Sequence, residues 1–65
     1  MRVIQRRYAG PKSAGAPQQG YILNIQVASS TYVPTTSEIR KALLDAGFPS
    51  YVASSSSVNS LSAWK

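Results

Sequence analysis

The sequence predicts an α+β fold, a small sheet with one helix packed on one face, and three stretches carry that reading. Residues 21–28 alternate in a strand pattern, residues 35–47 hold a helix start, an apolar stripe and a stop, and residues 3–8 are rich in β-formers. The expected order is β-β-α-β, with a C-terminal stretch open to either strand or turn. Three regions follow from this: a basic N-terminal strand or arm (1–8), a flexible loop (9–20) and a small α+β domain (21–65).

In the first region, Val3, Gln5 and Arg7 fall on one side of an extended chain and Ile4, Arg6 and Tyr8 on the other. It reads as an edge strand or an arm. Residues 9–20 (AGPKSAGAPQQG) contain three glycines, two prolines and no large apolar side chain, so they are expected to add nothing to a core. Tyr21–Ala28 is the clearest strand, with Tyr21, Leu23, Ile25 and Val27 directed to the core.

Pro34 disfavours helix at Val33. Thr35 and Glu38 then have the spacing of a capping box, in which a threonine hydroxyl and a glutamate three residues on each satisfy the other's backbone N–H. Ile39, Ala42, Leu43 and Ala46 recur at i, i+3, i+4 and i+7, one apolar stripe facing the sheet. Gly47 supplies the left-handed residue that ends the helix, expected over 36–46. Tyr51-Val52-Ala53 reads as a short strand returning beside Tyr21–Ala28 through a right-handed β-α-β crossover. Ser54–Ser57 is a serine turn or linker. Val58, Leu61 and Trp64, at i, i+3 and i+6, suit strand or helical turn equally.

Sixty-five residues make one domain, and so short a chain buries only about 60% of the surface its unfolded form exposes. Below roughly 70–80 residues a fold usually needs a staple. The absence of cysteine and histidine removes disulfides and the zinc, haem and iron–sulfur sites built on those ligands. The remaining staple is a larger protein assembly or self-association. No apolar run approaches the 18 or so residues of a membrane span, and the N-terminus lacks a signal-peptide core, so a soluble chain is expected.

Catalysis has little to draw on. Glu38 and Asp45 are the only acids; the first is committed to a cap, and the second sits by the helix end. No serine has a histidine base, and Ser13, which follows Lys12, lies in the loop. No glycine-rich phosphate loop occurs. The expectation is a non-enzymatic protein with no cofactor, metal or small-molecule substrate.

Recognition is better supplied. Seven Lys and Arg against two acids give a net charge of +5, which favours anionic partners. Arg2, Arg6, Arg7 and Lys12 would hold phosphates while Tyr8 or Tyr21 stacks on an unpaired base, as in single-strand nucleic-acid binders. Arginines on an edge strand equally serve to block aggregation. Tyr32, Leu61 and Trp64 are candidate interface anchors, since tryptophan and tyrosine concentrate at binding hot spots.

The order Ile25-Gln26-Val27-Ala28-Ser29, helix, then Ala46-Gly47-Phe48-Pro49-Ser50-Tyr51-Val52 resembles the first β-α-β half of a SPOR domain, the septal peptidoglycan-binding module. The resemblance covers residues 21–53 and implies a β-α-β unit and glycan binding. The second half of that family's pattern has no counterpart after Ala53, and no binding residue carries over. The leading expectation is a structural or assembly protein that docks onto a larger body, such as a virion or multi-protein complex, by its arm and apolar anchors. The alternatives are sequence-tolerant binding of single-stranded nucleic acid and SPOR-like glycan binding.

Overall fold

The computed structural model describes residues 2–12 and 15–65; Met1 of the N-terminal strand and Ser13 and Ala14 of the loop lie outside it. Two strands, β1 (Arg2–Arg7) and β2 (Ile22–Val27), pair antiparallel. Helix α1 (Thr36–Asp45) packs on the sheet, and two single helical turns follow, α2 (Ser50–Ala53) and α3 (Ser56–Asn59), then a 3-10 turn at Leu61–Ala63. The fold is α+β, with one helix against a small sheet.

The alternation in β2 sets the inner face. Leu23, Ile25 and Val27 are buried while Ile22, Asn24 and Gln26 are exposed. Register places Ile4 opposite Ile25 and Arg6 opposite Leu23, so the inner side of β1 is Arg2, Ile4 and Arg6. Above this layer sit Ile39 and Leu43 of α1, both almost fully enclosed. Each such side chain contributes about 1.5–3 kcal/mol by leaving water.

The ends of α1 are closed by local chemistry. The Glu38 N–H donates to Thr35 Oγ1 (3.3 Å) and the Thr35 N–H donates back to Glu38 Oε1 (3.5 Å), completing the capping box. At the other end Phe48 N–H reaches the Leu43 carbonyl (3.1 Å) and Gly47 N–H the Leu44 carbonyl (3.0 Å), a Schellman closure. Gly47 has φ of 97°, a conformation that a residue with a Cβ adopts only under strain.

The expected third strand is not formed. Residues 51–53 lie in α2, so the β-α-β crossover is absent. Pro49 is extended and its carbonyl accepts from both Val52 N–H (3.1 Å) and Ala53 N–H (3.2 Å), which starts a helical turn instead. A three-residue strand would have gained few ladder bonds. A helical turn seats Val52 and Ala53 together in the interior and leaves Tyr51 outside. Of the serines at 54–57, Ser54 and Ser55 form the turn that links α2 to α3, and Ser56 and Ser57 begin α3. Beyond it, the ambiguous stretch resolves into helical turns that carry Trp64 to an isolated antiparallel bridge with Tyr8.

The described residues of the 9–20 loop, expected to add nothing to the core, include some that pack onto it. Gly10 and Pro17 are buried, and Ala16 lies against the core cluster. The Tyr8 hydroxyl donates to the Pro11 carbonyl at 3.0 Å, which ties the loop to the ring it covers.

Candidate docking site

The basic residues of β1 separate onto two faces. Arg2 and Arg6 project to the inner side and Arg7 to the outer, because neighbours on a strand alternate. Arg7 and Lys65 exchange backbone hydrogen bonds, Arg7 N–H to Lys65 O at 2.9 Å and Lys65 N–H to Arg7 O at 2.8 Å. That exchange sets Lys65 beside Arg7, and Gln5, Arg6, Arg7, Ile22 and Lys65 line a shallow depression of about 160 Å³ there. Lys65 was not legible as a member, since 58 positions separate it from Arg7. Lys12 is exposed on the loop and does not line this depression.

The tyrosines proposed for base stacking are otherwise engaged. Tyr8 is fully enclosed, with its ring 5.2 Å from that of Trp64 between centroids. Tyr21 is half-buried, edge-on to Phe48 at 4.9 Å and to Trp64 at 6.4 Å. Tyr8 therefore offers no ring face to a base.

The three expected anchors also part company. Trp64 is only 4% exposed, and its indole N–H donates to the Val58 carbonyl at 2.6 Å, so it plugs the core rather than a partner. Leu61 and Tyr32 are exposed. The Tyr32 hydroxyl donates to Glu38 Oε1, above the helix cap. This bond holds the Glu38 carboxyl below its usual range and raises the Tyr32 phenol above its own.

Two features of the sheet were missed by sequence reading. The first is its outer face, which no helix covers: Val3, Gln5 and Arg7 from β1 alternate with Ile22, Asn24 and Gln26 from β2. Val3 is 51% and Ile22 47% exposed. The second is a groove of about 580 Å³ between β2 and α1. Six consecutive residues, Tyr21–Gln26, line it on one side, inward and outward alike, so it follows the edge of the strand and not a face. Its opposite wall is one side of α1, formed by Glu38, Lys41, Ala42, Asp45 and Ala46.

Backbone groups at that edge are available. Arg7 bonds Lys65 instead of β2, so Arg7 and Ile22 form a non-hydrogen-bonded pair. By alternation, Gln5–Asn24 and Val3–Gln26 are non-bonded pairs too. The N–H and C=O groups of Ile22, Asn24 and Gln26 consequently point away from β1, into the groove. Both acids of a +5 chain line it, with Lys41 between them.

Among the described residues, no three His, Cys, Asp or Glu side chains cluster as metal ligands, and no helix is long and apolar enough to cross a membrane. Comparisons with protein-family models, with curated proteins and with solved structures return no match.

Proposed function

We propose that this chain is a non-enzymatic assembly protein that docks onto a larger protein body through its two-stranded sheet. The observation that carries the reading is the uncovered outer face, where Val3 and Ile22 lie about half exposed beside Arg7. Two strands alone are marginal in water, and sheets normally gain stability from a third strand or a covered second face. Here α1 covers one face only. A partner seated on the other would bury two β-branched side chains and reach the Arg6, Arg7 and Lys65 depression at its rim.

The chain contains no cysteine, which makes the test clean. Gln5→Cys puts a single thiol on the outer face, and Ser37→Cys puts one on the exposed first turn of α1. Carrying a thiol-linked photo-crosslinker and illuminated in extract from its source, the Gln5 variant should yield one protein adduct of defined mass. An equal yield of that adduct from the Ser37 variant, or none from either, would count against the reading.

Binding of single-stranded nucleic acid is a second reading, favoured by the pairing of Lys65 beside Arg7, with Arg6 next to them on the other face of the strand. With Tyr8 enclosed it would rest on phosphate contacts, so affinity should fall steeply with salt and show no base preference. Arg6→Ala with Arg7→Ala should abolish it. The glycan reading gains no feature from the fold, since residues 51–53 are helical.

A further inference from the structure

The groove between β2 and α1 matches a strand that the chain itself carries. We infer that the free edge of β2 accepts β1 of a second copy, extending the sheet from one molecule into the next. This deepens the assembly reading and rests on it.

Three observations converge. The edge groups of Ile22, Asn24 and Gln26 have no partner in the β1 ladder, and main-chain bonds to such a row are how an added strand gains affinity. The strand β1 has a free edge as well: Val3 and Gln5 direct their N–H and C=O groups away from β2, and only Arg7 is capped, by Lys65. Charge then selects the pairing. An incoming β1, laid antiparallel with its inner face toward α1, presents Arg2, Ile4 and Arg6 in a basic–apolar–basic order. The helix wall offers Glu38 toward one end and Asp45 toward the other, with Lys41 and Ala42 between them, so its acids lie at the two ends and its net charge is negative.

The spacings agree. Arg2 and Arg6 are separated by about 13 Å along a strand, and Glu38 and Asp45 by about 10.5 Å along a helix. Long side chains close the difference.

The competing self-pairings are disfavoured by charge. A two-fold β2–β2 contact would run the two α1 helices antiparallel and bring Glu38 toward Asp45 of the other copy. A β1–β1 contact would oppose arginines. Adding β1 to β2 is heterologous, so every open oligomer keeps one free edge of each kind at its two ends and growth continues into a ring or filament.

The experiment is sedimentation velocity on the full chain from micromolar to millimolar concentration, with circular dichroism as the folding control. Two variants each remove one edge. Asn24→Pro deletes the outward N–H of β2, and Gln5→Pro that of β1; neither group serves the β1–β2 ladder. Wild type should grow in mass with concentration, and each variant alone should stay monomeric. A mixture of the two should form a 1:1 dimer and nothing larger, because one intact edge of each kind survives.

A wild type that is monomeric throughout would overturn the inference, as would Gln5→Pro dimerising alone, the sign of β2–β2 pairing. If proline unfolds either variant, Asp45→Lys decides: at least tenfold weaker self-association is expected, and an unchanged mass distribution would refute the charge match. A monomeric wild type that still gives the Gln5 crosslink to another protein would sink this inference alone. Loss of both signals would sink the docking reading with it.

Discussion

Tyr8 and Trp64 lie ring to ring at 5.2 Å and 57°, across an isolated bridge that fastens the C-terminal segment beside β1. The contact joins residues 56 positions apart. It is completed by the indole bond to Val58, so ring packing, bridge and α3 stand or fall together.

Trp64→Ala should therefore cost about 3–5 kcal/mol, the range for truncating a buried large aromatic. In a domain this small that is a large share of total stability. Thermal unfolding should show a lost or strongly lowered transition. Trp64→Phe keeps most of the volume but leaves the buried Val58 carbonyl without its donor, so a smaller loss, about 1–3 kcal/mol, is expected.

Gly10→Ala tests the packing of the loop on Tyr8. A Cβ at position 10 would stand 2.6 Å from the Tyr8 hydroxyl oxygen and 2.7 Å from the ring carbon that bears it. The ring is enclosed and has little room to yield. Urea denaturation should show a loss of about 1–3 kcal/mol, the usual cost of overpacking. An unaffected midpoint would mean that the loop can lift from the ring.

The Tyr32–Glu38 bond predicts a window of pH. It needs a protonated phenol and an ionised carboxylate. Glu38 is lowered in the folded state, chiefly by the Tyr32 hydroxyl, so its contribution is complete above the unfolded value of about 4.3 and is lost as pH falls through the folded one. Tyr32 is raised, chiefly by Glu38, so its contribution is complete below about 10 and is lost as pH rises through the folded value. Tyr32 is exposed and Glu38 only partly covered at the surface, and the effect on stability is correspondingly small. Glu38→Gln should return the Tyr32 ring titration toward its ordinary position, read by carbon NMR; no movement would refute the coupling.

Asn59 in α3 is buried, yet its Oδ1 has no hydrogen-bond partner. An unpaired buried acceptor forfeits about 1–3 kcal/mol. Asn59→Leu should recover part of that, raising stability by about 1 kcal/mol in chemical denaturation. A marked loss would show that the amide is doing something its surroundings reward.

The sequence specifies local structure where the chain itself supplies the partners. Thr35 with Glu38, and Gly47 with Phe48, satisfy backbone groups a few positions away, so the limits of α1 follow from the residues present. The inner side of β2 follows from its period of two. The structure departs from the sequence pattern at residues whose state depends on distant contacts. Tyr51–Ala53 has the side chains of a strand, but Pro49 upstream and the core above it stabilise a helical turn. Trp64 has the composition of an anchor, and only the fold supplies Tyr8 to enclose it. The basic residues were visible as a group, whereas their division between two faces and the arrival of Lys65 required the register.

By itself, then, the sequence determined the α+β class, the capped helix and which side of β2 meets it, because each depends on interactions spanning a few residues. The tertiary structure alone decided that residues 51–53 add no third strand, that Tyr8 and Trp64 are interior, and that both acids border an open strand edge. Those outcomes depend on which groups lose water together, and that is fixed only when segments far apart in the chain pack against one another.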